Sequence, residues 1–266
     1  MASIFVGYNS LISLMKKLLV AFFTLVSVYG FAQSPVSNRI SSGADLGMAY
    51  TTRNYNPSFT YYQLLNFGEK KLFSIGWTLR LGAFYGDNLN YYTAPARLTR
   101  EKTGFSAIGA PLVISNIDTV RYDYVTMTSA NFGVRAQIKL GPVEVGASAD
   151  LLGLTIGKSR TGRIASSTGK FTRPDSTTAY FRGADVFQSS RPSRFNARLL
   201  GDNDIGTLST EVFARIFIKQ RVGIKAGYQW LVTETKIDNR DIVADNNRFR
   251  NRVGMPYLAV TLPVFN

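Results

Sequence analysis

The chain has 266 residues, no cysteine and no histidine, and its 31 Lys and Arg outnumber 17 Asp and Glu to give a net charge of +14. Lack of cysteine excludes disulfides, thiolate nucleophiles, Cys-ligated metals and lipid attachment at an N-terminal Cys; lack of histidine removes the best proton carrier near neutral pH and the commonest zinc ligand. The length accommodates one substantial domain or two small ones, and the basic balance raises nucleic acid or anionic lipid as partners.

The first element in chain order is a targeting signal. Met15-Lys16-Lys17 forms a basic n-region, Leu18 to Val28 an apolar h-region, and Gly30-Phe31-Ala32 supplies a small-x-small cleavage pattern. Cleavage after Ala32, or one residue later after Gln33, makes residues 1–33 a signal peptide with its functional start at Met15. Met1 to Leu14 is then either an extended n-region or a wrongly chosen start. The apolar run is shorter than the roughly 20 residues of a bilayer-crossing helix, which favours removal over an uncleaved anchor. Residues 34–42 read as a short N-terminal periplasmic segment and 43–266 as the folded domain, which carries the basic excess.

From Ser41 onward, apolar residues alternate with polar or small ones, and helical periodicity is nearly absent. Residues 43–51 and 58–67 are strand candidates of irregular facing. Phe73, Ile75, Trp77, Leu79, Leu81, Ala83 and Tyr85 then alternate with Ser74, Gly76, Thr78, Arg80, Gly82 and Gly86. Phe132, Val134, Ala136, Ile138 and Leu140 alternate with Gly133, Arg135, Gln137 and Lys139; after a Gly141-Pro142 turn, Val143, Val145, Ala147, Ala149 and Leu151 alternate with Glu144, Gly146, Ser148 and Asp150. Residues 207–219 set Leu208, Val212, Ala214, Ile216 and Ile218 against Thr207, Ser209, Glu211, Phe213, Arg215 and Phe217. Lys219-Gln220-Arg221 turns the chain into Val222, Ile224, Ala226, Tyr228, Trp230 and Val232, which alternate with Gly223, Lys225, Gly227, Gln229 and Thr233. The last strand, 252–265, is apolar on both faces.

Which face is polar separates a soluble sandwich from a membrane barrel. The polar face mixes full charges with glycines, as a narrow lumen requires, while the apolar face is nearly uncharged over the central strands. Connections alternate between tight (67–72, 139–143, 219–222) and long and polar (87–124, 158–205, 236–250), the asymmetry of short periplasmic turns and long external loops. The fold expected is all-β: a transmembrane antiparallel up-and-down β-barrel of about eight strands, integral to the outer membrane of a Gram-negative bacterium. From Ser41 to Asn266 the chain resembles the small outer-membrane β-barrel proteins of the OmpA/OmpX kind, on architecture rather than on a diagnostic motif. The most family-like residues are girdle candidates Tyr50, Tyr61, Trp77, Tyr85, Tyr124, Tyr228, Trp230 and Tyr257, and the terminal Val264-Phe265-Asn266. The resemblance implies outer-membrane lipid and the barrel-insertion machinery as partners, although Asn266 follows the usual terminal aromatic residue and Pro256 and Pro263 interrupt the strand.

An eight-stranded interior is just wide enough for side chains to fill. Asp45, Arg80, Arg135, Glu144, Asp150, Glu211, Arg215 and Lys225 fall on the inner face, where charges withdrawn from water need partners, so they are expected to form an acid-base network that plugs the lumen. The less favoured reading makes that network the gate of a narrow proton or solute path. Among the loop cations, Arg160, Arg163, Arg173 and Arg182 are candidates for contact with phosphate or carboxylate groups of lipopolysaccharide, or equally for a merely solvated surface. No nucleic-acid-binding motif is present, and nucleic acid is not expected as a partner.

Small barrels with lipase, acyltransferase or protease activity resemble one another in using a catalytic His, which this chain lacks; Ser159 and Ser166 have no base to activate them. Asp202-Asn203-Asp204 and Asp238–Asp241 lie in turn-forming segments without calcium-loop spacing. No enzyme activity, metal or cofactor is expected. The first functional hypothesis is a structural or interaction scaffold whose basic external loops bind surface polysaccharide, lipopolysaccharide or a protein partner, with 158–205 as the contact element. The alternative is a narrow channel or transporter, or an accessory barrel subunit of an export machine.

Overall fold

The computed structural model describes residues 39–265 except 69–70, 167–168, 174, 200–201, 219–220 and 242–245; the signal peptide and the tip of the 219–222 turn lie outside the described residues. In chain order the strands are β1 (Ile40–Tyr50), β2 (Asn54–Phe67), β3 (Phe73–Thr93), β4 (Thr119–Leu140), β5 (Val143–Ile156), β6 (Arg160–Ala165), β7 (Lys170–Thr172), β8 (Thr178–Tyr180), β9 (Phe187–Pro192), β10 (Phe195–Ala197), β11 (Leu208–Ile218), β12 (Val222–Ile237), β13 (Arg240–Asp241) and β14 (Arg248–Phe265). No helix among the described residues is long and apolar enough to cross a membrane.

Eight of these strands close a ring in the order β1-β2-β3-β4-β5-β11-β12-β14, every pairing antiparallel, with β14 returning to β1 through registers such as Leu46↔Val260. Closure leaves the ring without an edge, the arrangement that lets a sheet sit in lipid with its backbone hydrogen bonds satisfied. The strands form where the two-residue period is strict, and they turn where the backbone must leave the extended region. Gly141, at φ +62°, supplies the left-handed residue of the β4–β5 turn at no steric cost. The terminal strand runs through Pro256 and Pro263, the latter beside an irregularity where the β1–β14 register shifts between Ser42 and Gly43. β1 begins at Ile40, ahead of the boundary expected at residue 43.

The outer wall is apolar: Leu46, Ile75, Leu79, Leu81, Val134, Ile138, Val212, Ile216, Ile224, Leu258 and Val260 are all exposed. The inner face carries Asp45, Arg80, Arg135, Glu211, Arg215 and Lys225, none more than 2 % exposed. This inside-out distribution is that of a transmembrane barrel.

The connections expected to be long polar loops at 87–124, 158–205 and 236–250 are partly strand. β3 extends for 21 residues and β4 for 22, well past the apolar wall. There β4 pairs with β6, β6 with β9, β9 with β12, and β14 reaches over the shorter β1–β2 hairpin to pair with β3 at Phe249↔Thr93 and Arg250↔Tyr92. With the continuing β3–β4 and β12–β14 pairs, these contacts close a second ring of six strands: β3-β4-β6-β9-β12-β14. The eight-stranded barrel thus carries a narrower collar on its loop side. The collar interior packs Leu89, Tyr91, Val120, Tyr122, Ile164 and Ile237, each at most 7 % exposed, against buried Gln188, Ser190, Thr233 and Thr235, with Tyr91 and Tyr122 hydrogen-bonded to Thr233 and Thr235. A separate small sheet, β13-β7-β8, lies in the same loop set.

Candidate functional site

The eight inner-face charges come together. Asp45 of β1 accepts from Arg135 Nη1 of β4 and Lys225 Nζ of β12 on the same oxygen, Oδ2, each at 2.8 Å, and from the Thr261 hydroxyl of β14 at 2.6 Å on Oδ1. Lys225 also pairs with Glu211 of β11, and Arg80 of β3 reaches Glu211 at 3.0 Å and Asp150 of β5 at 3.3 Å. Arg215 of β11 pairs with Glu144 of β5, with Nε 3.0 Å from Oε2, and lies 4.0 Å from Asp45. The Asp45–Arg135 and Arg80–Glu211 contacts join strands that are not neighbours in the ring, so the network crosses the interior. Four acids face four bases, which leaves this layer neutral, as burial demands.

Several partners of the network escaped sequence reasoning because they are uncharged. Asp150 Oδ2 accepts from Asn131 Nδ2 at 3.0 Å and the Ser209 backbone N–H at 2.8 Å. The Arg135 guanidinium sits 4.1 Å from the Tyr62 ring centroid and 4.3 Å from that of Phe213, and Lys225 Nζ lies 4.2 Å from Phe213. Arg80 Nη1, Arg135 Nη2 and Tyr257 Oη are buried without a hydrogen-bond partner among the described residues.

A second buried ion cluster lies on the loop side. Glu234, fully buried, accepts from Arg248 Nε at 2.9 Å and from the Ser193 hydroxyl at 2.7 Å, and it pairs with Arg250 Nη2 at 3.2 Å. Arg250 also pairs with Asp202 at 3.1 Å, and Arg252 contacts the same carboxylate. Three cations that the sequence places in or beside an external loop are therefore tied to acids.

The loop cations Arg160, Arg163, Arg173 and Arg182 fall into two groups. Arg160 and Arg163 lie on β6, with Arg160 5.1 Å from the Tyr124 ring and Arg163 directly opposite Arg121 of β4. Arg173 and Arg182 flank the small sheet; Arg173 pairs with Asp185 at 3.5 Å on an exposed surface, and Arg182 lies 5.2 Å from the Tyr180 ring. In the same region, hydrogen bonds from the Thr177 hydroxyl and backbone N–H, at 2.7 and 3.0 Å, hold the Asp175 carboxyl below the usual carboxylate range. In the collar, burial pushes the Tyr91 phenol above its ordinary value.

Of the girdle candidates, Trp77 lies on the outer wall, tilted against Tyr61 at 5.5 Å and stacked on Phe132 at 6.1 Å, its indole N–H satisfied by Gln63 Oε1 at 3.1 Å. Tyr85 stacks on Tyr55 at 4.9 Å, and Tyr228 meets Trp230 edge-on at 5.0 Å. Tyr257 does not belong to the girdle: it is 1 % exposed and points into the lumen. Its strand is apolar on both faces, so alternation gave no side, and the pairing of β14 with β1 and β12 fixes Met255, Tyr257, Ala259 and Thr261 inward. Leu208, placed by alternation on the lipid face, is also fully buried.

No family model and no curated protein matches the chain. Among solved structures, it is similar to Neisserial surface protein A (11 % identity over 84 % of this chain and 94 % of that one, TM-score 0.27). It is also similar to the P. putida toluene transporter TodX (9 %, covering 87 % and 80 %, TM-score 0.22) and to the CymD monoaromatic hydrocarbon channel (8 %, covering 85 % and 89 %, TM-score 0.16).

Proposed function

We propose that this protein is an integral outer-membrane barrel of the small OmpA/OmpX-like kind whose lumen is plugged, and that it works as a scaffold presenting basic external loops to lipopolysaccharide, surface polysaccharide or a protein partner. The observation that carries this reading is the neutral ion layer joining β1 to β4 and β3 to β11 across the interior, surmounted by a six-stranded collar packed with aromatic and aliphatic side chains and the buried polar groups that hydrogen-bond them. A solute crossing the barrel has to displace buried ion pairs and then a packed aromatic core, and breaking even one buried pair costs about 3–5 kcal/mol. Planar-bilayer recordings of the purified protein test it: the plug predicts no stable open steps, whereas well-resolved conductance assigns the narrow-channel alternative. Neutralising Arg160, Arg163, Arg173 and Arg182 together is expected to weaken lipopolysaccharide retention during purification; unchanged retention rejects the loop role. Phospholipase and acyl-transfer assays on detergent-solubilised protein are expected to be silent.

A further inference from the structure

At the end of the barrel opposite the collar, the short turns frame a cavity of about 500 Å³. Its lining includes Ser42, Tyr62, Asn66, Lys71, Lys139, Glu144 and Arg215. Arg215 and Glu144 neutralise each other at its inner boundary. Lys71, in the β2–β3 turn, and Lys139, near the end of β4 and opposite Glu144 of β5, have no ion-pair partner among the described residues, so the described lining, with Arg215 paired to Glu144, carries an excess of two ammonium groups. Lys71 is held in the left-handed region at φ +49°, a conformation that would be cheaper for glycine or asparagine.

The hydrogen-bond inventory of the lining is one-sided. Asn66 Oδ1 is occupied by the hydroxyls of Ser41 (3.2 Å) and Ser74 (2.7 Å), and Gln137 Oε1 by Arg215 Nη2 (3.1 Å). Glu144 Oε2 accepts from Gln137 Nε2 (3.2 Å) and Arg215 Nε (3.0 Å), and the Tyr62 oxygen accepts from Arg215 Nη1 (2.6 Å). The amide nitrogen of Asn66, the O–H of Tyr62 and both lysine ammoniums are left as donors. Ser42 adds an independent observation, because it is 1 % exposed and its Oγ has no hydrogen-bond partner among the described residues. Glu144 Oε1 and the hydroxyl lone pairs remain as acceptors, but the two ammoniums, the Asn66 amide and the Tyr62 hydroxyl outweigh them in charge and donors, which makes the lining complementary to an oxyanion rather than to a cation.

We propose that this vestibule binds a phosphate monoester of small-solute size. Two unpaired ammoniums match a dianion, the hydroxyl and amide donors match its non-bridging oxygens, and the volume falls within the range of roughly 300–1,000 Å³ usual for ligand sites. The site opens on the short-turn side, which is periplasmic if the barrel orientation proposed above holds, and its ligand would be drawn from there.

The test is calorimetric titration of the full, detergent-refolded chain with glycerol 3-phosphate and inorganic phosphate, with glycerol as the neutral control. Wild type is expected to give a saturable isotherm for the phosphates and none for glycerol. Lys71→Gln combined with Lys139→Gln is expected to weaken glycerol 3-phosphate at least tenfold, and Ser42→Ala to weaken it by a smaller factor. Heat-modifiable gel mobility verifies that each variant remains folded; neither lysine side chain belongs to the ion network inside the ring. No saturable phosphate binding by wild type, equal binding by the double lysine variant, or comparable binding of glycerol overturns the proposal. Open conductance steps would refute the plugged lumen while leaving the isotherm intact, so the two readings fail separately.

Discussion

Replacing Lys225 by methionine removes the cation that joins Asp45 to Glu211 at the centre of the barrel. The ammonium is fully buried, and its 2.8 Å contact with Asp45 amounts to about 6 kcal/mol of gross attraction at an effective dielectric of about 20. Desolvation of both groups cancels part of this, and the substitution leaves Asp45 with Arg135 and Thr261, and Glu211 with Arg80. One negative charge is then uncompensated in a layer that water does not reach, for which a net loss of about 3–5 kcal/mol is expected. Adding Glu211→Gln restores neutrality, so the double variant should lose less than the sum of the two single variants, by at least about 1 kcal/mol. The assay is reversible urea unfolding of the protein in lipid vesicles, followed by fluorescence of Trp77 and Trp230, which face the outer wall. Lys225→Met within about 0.5 kcal/mol of wild type, or strict additivity in the double variant, would refute the claim that this layer is a coupled, charge-balanced plug.

The outer wall makes a second prediction: Leu79→Arg places a charge on the lipid face and is expected to cost about 2–4 kcal/mol in the same unfolding assay, while Asn90→Arg, on the outside of the collar, should be nearly neutral. Equal costs would contradict a boundary between lipid and water along β3. On the loop side, Glu234→Gln leaves Arg248 and Arg250 without their shared buried acid and is expected to speed limited tryptic cleavage in the 240–252 segment several-fold; an unchanged cleavage pattern would show that the cluster does not hold that loop down.

The sequence was most legible where lipid imposes a strict rule. Arg80 between Leu79 and Leu81, and Lys225 between Ile224 and Ala226, can be placed inside from alternation alone, because the outward neighbours must be apolar. Tyr257 was not legible, since Tyr, Leu, Ala and Val succeed one another without contrast and only cross-strand register assigns their sides. The collar was hidden for a different reason. Its outer face meets water and is polar, so segments such as Asp87-Asn88-Leu89-Asn90 read as loop by the criterion that identifies membrane strands. Strands β6 to β10 span at most six residues each, too few for a period to emerge.

The switch between these regimes is built into one hairpin. Along β3, residues 80, 82, 84 and 86 face inward, but beyond Asn88 the inward residues are 89 and 91; along β4 they are 120 and 122, then 125, 127 and 129. Asp87 and Asn88 are both exposed on β3, as are Asp123 and Tyr124 on β4, and the register is the same on either side, Asp87↔Tyr124 and Leu89↔Tyr122, with the Asn88–Asp123 pair skipped between them. Both strands therefore slip phase by one residue at the same level, with Asn88 at φ +53° on the β3 side. Well below the slip the exterior is apolar and the interior ionic; at the slip Phe84, Val125 and Met127 turn inward, and above it the exterior is polar and Tyr91 packs against Tyr122 with ring centroids 5.1 Å apart, all in one buried cluster. A barrel that leaves lipid has to exchange the polarity of its two faces. A paired slip accomplishes this at the expense of one ladder pair and with no change of register, so β3 and β4 continue together from the wall into the collar.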